Sequence, residues 1–368
     1  MTLTVMKRIL AALLCAAMFA ALTAGCGSVQ TDTAENETEA GGDDPVRIGV
    51  TFESFVIERW ERDRDIFVSS AKDLGAVVNV QNATGDVEKQ KEQIRYFIDK
   101  KMDVIVVIAV DCSALKEEVR EAHEAGIPVI AYDRLILGSG VDLYISFDNV
   151  TVGRYMAQTI ISSLPEGGKL IKINGPRKDY NVSLINAGFD REIADAENEY
   201  SVEDVYYASE WNGEEAFLYL SEHPDIADSA DAVMCGNDSL AGQAVRYYAE
   251  KRRAGRIPIV GQDADLDACQ RVVEGTQTMT VYKPIERLAR RAAECAVALA
   301  GGASPESLIS AAPRASGDAG SGMPTINDGT GPVAYVSIPP IMVDKDNIDR
   351  EIIDSGFHMR EDVYLNSR

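Results

Sequence analysis

Residues 104–108 read Val104, Ile105, Val106, Val107, Ile108, an unbroken β-branched run with no polar side chain inside it. A strand with one wet face alternates apolar and polar residues. An unbroken run instead marks a strand covered on both faces, as in a parallel sheet flanked by helices. Working outward, comparable runs at 46–52, 77–81 and 128–132 alternate with helical patterns at 57–74, at 87–100 and in a segment ending near Gly126. That alternation describes a βα-wound lobe. A second series follows, with strands expected at 170–173, 202–207, 232–234, 257–261 and 279–282 and helices at 184–194, 214–220 and 240–250. After a helix at 285–299, residues 301–333 are rich in Gly, Ala, Ser and Pro and read as a partly ordered surface excursion. The expected fold class is α/β, with two doubly wound parallel-sheet lobes in succession.

The N-terminus has a different character. Lys7 and Arg8 precede an apolar run over 9–22, which is short for a membrane span and is followed by Thr23, Ala24, Gly25 and Cys26. This reads as a signal peptide over 1–25. Small residues leading into a cysteine resemble a bacterial lipobox, which makes Cys26 the expected lipidation site, although Thr23 stands where leucine is usual. Residues 26–45, polar and acidic without apolar periodicity, read as a flexible tether.

The formal charge of −23 argues against a nucleic-acid partner, which needs clustered Lys and Arg. No pair of cysteines has metal-knot spacing, and Cys112, Cys235, Cys269 and Cys295 sit in or beside apolar segments, where buried thiols are expected rather than disulfides. No metal or cofactor is expected. The three histidines are scattered, and no GxSxG, Walker loop, strand-borne GxGxxG or HExxH is present. Carboxylate pairs suited to glycoside hydrolysis exist, but the reading is of a binding protein and not an enzyme.

In open α/β sheets ligands bind beyond the carboxyl ends of the strands. The polar residues there are Asp133, Arg134, Asp148, Asn149, Asn237, Asp238, Asp263 and Lys283. Planar amides, carboxylates and guanidinium groups can each hold two neighbouring sugar hydroxyls, and aromatic rings cover the C–H faces. The same residue types also cap helices and form turns.

Several runs carry a resemblance. Glu58, Arg59 and Trp60 with Asp63, Arg64, Asp65, Ile66 and Phe67; Ala131 to Arg134; Tyr144 to Asn149; Gly261 to Leu266; and Gly275 to Pro284 closely resemble the periplasmic D-xylose-binding proteins, over nearly the whole chain from Arg47 to His358. The resemblance implies a type I periplasmic binding protein: two lobes, 46–147 plus 284–335 and 148–283 plus 336–368, joined by a three-strand hinge. The implied crossovers lie near 147–149, 282–284 and 338–342. It implies a monosaccharide ligand, D-xylose, held by Arg59, Trp60, Asp133, Arg134, Asn181, Trp211, Asn237, Asp263 and Lys283. It also implies a monomer outside the cytoplasm, partnered by an ABC transporter permease, and lipid on Cys26 is what would anchor it to the membrane. The chain departs from the family's pattern at 109–113 and 177–180, both beside the implied cleft. A sensor presenting sugar to a membrane kinase or chemoreceptor would carry the same pocket. A lactose-repressor-type regulator is set aside because an export signal stands where its DNA-binding helices would be.

Overall fold

The computed structural model describes residues 44–56, 59–310 and 325–366. The expected signal segment, Cys26 and the tether up to residue 43 lie outside the described residues. So do Glu58 and the core of the 301–333 stretch. The strands of the first series are β1 (Arg47–Phe52), β2 (Val77–Asn82), β3 (Val104–Val107), β4 (Val129–Tyr132) and β5 (Leu143–Phe147). The second series has β6 (Gly168–Asn174), β7 (Tyr200–Tyr207), β8 (Ala232–Cys235), β9 (Ile259–Gln262) and β10 (Met279–Tyr282), and β11 (Thr325–Asn327), β12 (Pro332–Ile338) and β13 (Ile341–Val343) follow. They form two sheets, in the orders β11-β12-β5-β4-β3-β1-β2 and β13-β10-β9-β8-β6-β7. All neighbours run parallel except β11 on β12 and β13 on β10. Each sheet sits in its own α/β lobe.

The 104–108 run behaves as its composition requires. Val104, Val106 and Ile108 point into one apolar layer, while Ile105 and Val107 point into the layer on the opposite face. Helices cover both sides: α1 (Arg59–Asp73), α2 (Val87–Asp99) and α3 (Lys116–Glu124) from the first series. The second lobe adds α4 (Asn149–Ser163), α5 (Tyr180–Ala194), α6 (Glu214–Glu222), α7 (Pro224–Ser229), α8 (Asp238–Glu250) and α9 (Leu266–Glu274). Its apolar layers likewise divide, with Ile171 and Val233 on one face of the sheet and Leu170 and Met234 on the other. A tenth helix, α10 (Ile285–Ala300), returns to the first lobe, where Leu288, Ala292 and Cys295 join the core beneath β1 and β3.

The chain passes between the sheets three times: after β5, after β10, and between β12 and β13. These crossings are tied together. The Asp148 amide donates to the Ile338 carbonyl at 3.1 Å, and Tyr335 Oη donates to the Phe147 carbonyl at 2.7 Å. Val336, Ser337 and Ile338 stay in register with β5 in the first sheet, so the third crossing falls at Pro339 and Pro340. Within 301–333, the short helix Pro305–Ser310 and strand β11 are regular structure, and β12 begins at Pro332. Cys112, Cys235 and Cys295 are buried free thiols, and Cys269 is buried with its Sγ 3.5 Å from the Ala264 carbonyl.

Candidate functional site

The carboxyl ends of both sheets open onto one cavity, lined by Arg59, Trp60, Asp133, Arg134, Asp179, Asn181, Trp211, Asn237, Gln262, Asp263 and Lys283. All nine residues that the sequence singles out as ligands meet here, from seven separate chain segments. Two further residues, Asp179 and Gln262, were not foreseen.

The first-lobe wall starts on α1. Its inward face carries Arg59, Trp60, Asp63 and Phe67, so the charged residues at its head are buried beside the aromatic ones. Arg59 donates through Nε to Asp63 at 3.0 Å and lies 3.3 Å from Asp133 Oδ1. Burial works against its charge, but Asp133, Asp63 and Asp263 outweigh it and raise the Arg59 pKa well above the ordinary value. Asp63 also receives a hydrogen bond from Tyr132 Oη. Trp60 lies in a charged stretch that suggests a place outside the core. The structure corrects this: the indole is 1% exposed, packs against Phe52 and donates to Glu53 at 3.2 Å. Of its charged neighbours, Arg59 and Asp63 are buried and paired while Glu61 and Arg62 are exposed, and the Arg59 guanidinium stacks 4.4 Å from the ring centroid.

Asp133 and Arg134 follow β4. Asp133 sits at φ +60°, a left-handed conformation that a non-glycine residue adopts only when its surroundings hold it there. Three donors converge on its carbonyl: Ser146 Oγ at 2.8 Å, Asn181 Nδ2 at 3.0 Å and Tyr144 Oη at 3.1 Å. Arg134 donates to Glu53 and to the Ala109 carbonyl, each at 3.2 Å, and its Nε lies 3.0 Å from Asp179 Oδ2 across the cavity.

In the second lobe, Asp179 caps α5 through the Asn181 amide at 3.0 Å and accepts from Trp211 Nε1 at 3.2 Å. Burial raises the Asp179 pKa, and Arg134 pulls it back only in part. Trp211 lies flat against the backbone after β6, where a Cβ on Gly175 would come within 2.4 Å of the indole. Glycine is therefore required there. Asn237 caps α8, its Oδ1 accepting from the Leu240 amide at 3.0 Å. Gln262 ends β9 and donates to the Gly236 carbonyl at 2.7 Å. Asp263 and Ala264 both have positive φ, +99° and +55°, and Asp263 Oδ1 lies 3.4 Å from Lys283 Nζ.

Of the other strand-end residues, Asp148 is a helix cap, accepting from the Thr151 amide at 2.9 Å. Asn149 is buried and donates to Asn181 Oδ1 at 2.9 Å, so it supports a lining residue without lining the cavity. Among the described residues, no group of three or more His, Cys, Asp or Glu is placed to hold a metal ion.

A family model described as "Periplasmic binding protein domain" matches residues 48–304. The D-xylose-binding periplasmic protein of Haemophilus influenzae is 38% identical over 324 residues, covering 87% of this chain and 92% of its own length. The chain belongs to the type I periplasmic sugar-binding protein family. Members of this family are extracytoplasmic solute-binding proteins and not enzymes. The D-xylose-binding periplasmic protein of Escherichia coli is 37% identical, with 86% of this chain and 92% of the relative covered. The fold agrees with a solved ABC transporter solute-binding protein from Clostridium phytofermentans with bound β-D-glucose. Its TM-score is 0.73 at 24% identity, covering 86% of this chain and 99% of that one.

Proposed function

We propose that this protein captures D-xylose between its two lobes and delivers it to an ABC transporter. The observation that carries this reading is the state of the polar groups around the cavity. Asp133 Oδ1, Asp263 Oδ1, Arg134 Nε and Gln262 Oε1 are buried and make no hydrogen bond. Arg134 Nε and both carboxylate oxygens do have a charged neighbour at 3.0–3.4 Å. Burying such groups unsatisfied is unfavourable. A ring of hydroxyls can accept from the guanidinium and donate to the carboxylates and the amide oxygen, with the two indoles against its C–H faces. The names of the two curated relatives described above support xylose as the sugar.

The moving bodies are 46–147 with 284–338, and 148–283 with 341–368, turning about the three crossings; the expected boundary at 335/336 shifts to Pro339 and Pro340 because Val336 to Ile338 stay paired with β5. Opening the cleft would rehydrate the charged groups, and bound sugar would favour the closed form through contacts made only there. Lipid on Cys26 would hold the protein at the membrane. Calorimetric titration with a panel of pentoses and hexoses tests the reading: D-xylose should bind most tightly, and no binding by any monosaccharide would refute it. Cys26→Ala should release the protein from the membrane fraction, and persistent membrane attachment would assign the anchor elsewhere.

A further inference from the structure

The second carboxylate turn is held by a residue outside the cavity. Three consecutive amides fix residues 263–265: Asp263 donates to the Val281 carbonyl at 2.9 Å, Ala264 to Thr280 Oγ1 at 3.1 Å, and Asp265 to Asp238 Oδ2 at 3.2 Å. Thr280 in turn donates its hydroxyl proton to the same Asp238 oxygen at 2.6 Å. Asp238 therefore supports two of the three amides, one directly and one through Thr280. Its other oxygen accepts from Gln277 Nε2 at 2.7 Å. Arg271 closes the loop, donating to Gln277 Oε1 and to the Asp238 carbonyl, each at 2.9 Å. Asp238, Gln277 and Thr280 are all buried. The approach depends on Gly261, because a Cβ there would come 2.3 Å from Asp238 Oδ1.

Left-handed backbone costs a non-glycine residue roughly 1–2 kcal/mol, and here two such residues are adjacent, so the turn needs external restraint. We propose that Asp238 is a positioning residue for sugar binding, holding the 263–265 turn so that the Asp263 carboxylate stays aimed into the cavity. The proposal rests on the sugar-binding reading. Every side chain bonded to the Asp238 carboxylate is a donor toward it, which suits the ionised form, and charge-assisted bonds are roughly twice as strong as neutral ones.

The same carboxyl titrates in a useful range. Burial pushes the Asp238 pKa up to about 7, with Asp263 adding to the rise and with Arg271, Thr280 and Gln277 opposing it. The charged and titratable groups facing it are Arg271 on α9, Asp263 on the turn and Cys235 at the end of β8. Protonation removes the charge assistance from all three bonds, which should loosen the turn and weaken sugar binding.

The test is calorimetric titration of D-xylose at pH 8 and pH 5.5 on wild type, Asp238→Asn, Thr280→Val and Thr280→Ser, with melting temperatures measured alongside. At pH 8 Asp238→Asn should bind about tenfold more weakly than wild type, the scale of one lost charge-assisted hydrogen bond. At pH 5.5, where wild-type Asp238 is itself neutral, the gap should shrink towards unity. Thr280→Val should weaken binding and Thr280→Ser restore it, which decides the matter should Asp238→Asn fail to fold. Equal binding by wild type and Asp238→Asn at pH 8, a gap independent of pH, or equal binding by the two Thr280 variants would overturn the proposal. Wild type that binds no monosaccharide would overturn the sugar reading itself and the proposal with it.

Discussion

The two carboxylate-bearing turns, one at Asp133 and one at Asp263, occupy equivalent places in the two lobes. Each follows an inner strand, each has a left-handed backbone, and each is fixed by an amide donating to the carbonyl of a residue on the next strand, Ile145 or Val281. They differ in what else holds them. Asp133 is gripped through its carbonyl by Tyr144 and Ser146 and, across the cavity, by Asn181. The Asp263 turn is braced within its own lobe, by Thr280 and the buried carboxyl of Asp238, with His358 Nε2 2.8 Å from the Ala264 carbonyl. The first turn is therefore held in part from the facing lobe, whereas the second is held from its own lobe by a set that includes Asp238, whose pKa burial raises to about 7.

The largest expected effect comes from removing a charge at either turn. Truncating one partner of a buried, hydrogen-bonded charge pair costs about 2–5 kcal/mol, so Arg134→Ala and Asp263→Ala should each weaken D-xylose binding by well over tenfold. Asp133→Ala should do the same and also lower the melting temperature, because it leaves the buried Arg59 guanidinium with Asp63 as its remaining paired carboxylate. Asp263→Ala should lower it by more, because it leaves the buried Lys283 ammonium without its paired carboxylate. A smaller melting loss in Asp263→Ala than in Asp133→Ala would break the comparison.

A smaller effect is expected in stability against pH. A carboxyl whose folded value lies above its unfolded value keeps its proton in the fold after the unfolded chain has lost it, so stability falls as pH rises between the two values. For Asp238 the window runs from 3.8 to about 7, and Asp63 and Asp179 shift in the same direction by burial. Denaturant titrations across that range should show declining stability, with a shallower decline in Asp238→Asn. Sugar binding should move the opposite way with pH, and a parallel decline of both would contradict the positioning role. The smallest effect should be that of Ser146→Ala, which removes one of three donors to the Asp133 carbonyl. About a twofold loss of affinity is expected, within the range of a single neutral hydrogen bond, and a tenfold loss would mean that the other two donors do not share the load.

Much of this was legible in the sequence because parallel-sheet strands announce themselves as runs like 104–108, and because strand ends with Asp, Asn, Arg or Lys converge in this architecture. Other features were not. Helix α4 follows β5 with only Asp148 between them, and its apolar residues are not confined to one stripe, so periodicity did not separate it from its neighbours. Asp179 lies in the 177–180 segment that departs from the family pattern, so nothing carried it over, and its role as cap, Arg134 partner and Trp211 acceptor exists only once two lobes meet. Trp60 was misplaced for a physical reason: sequence displays charge but not pairing, and Arg59 and Asp63 neutralise each other inside the fold. Asp238 stood among the strand-end residues, yet its distinction from Asn237 beside it is purely one of direction, one side chain facing the cavity and the other the support beneath it.

The central claim, that one cavity built by both lobes receives a monosaccharide, is tested most directly by indole fluorescence. Trp60 and Trp211 are the only tryptophans in the chain, and both line that cavity, one from each lobe. Titrating folded protein with D-xylose should give a saturable change in emission that D-ribose reproduces weakly or not at all. Flat emission with every monosaccharide tried, on protein whose fold is confirmed by circular dichroism, would contradict the account.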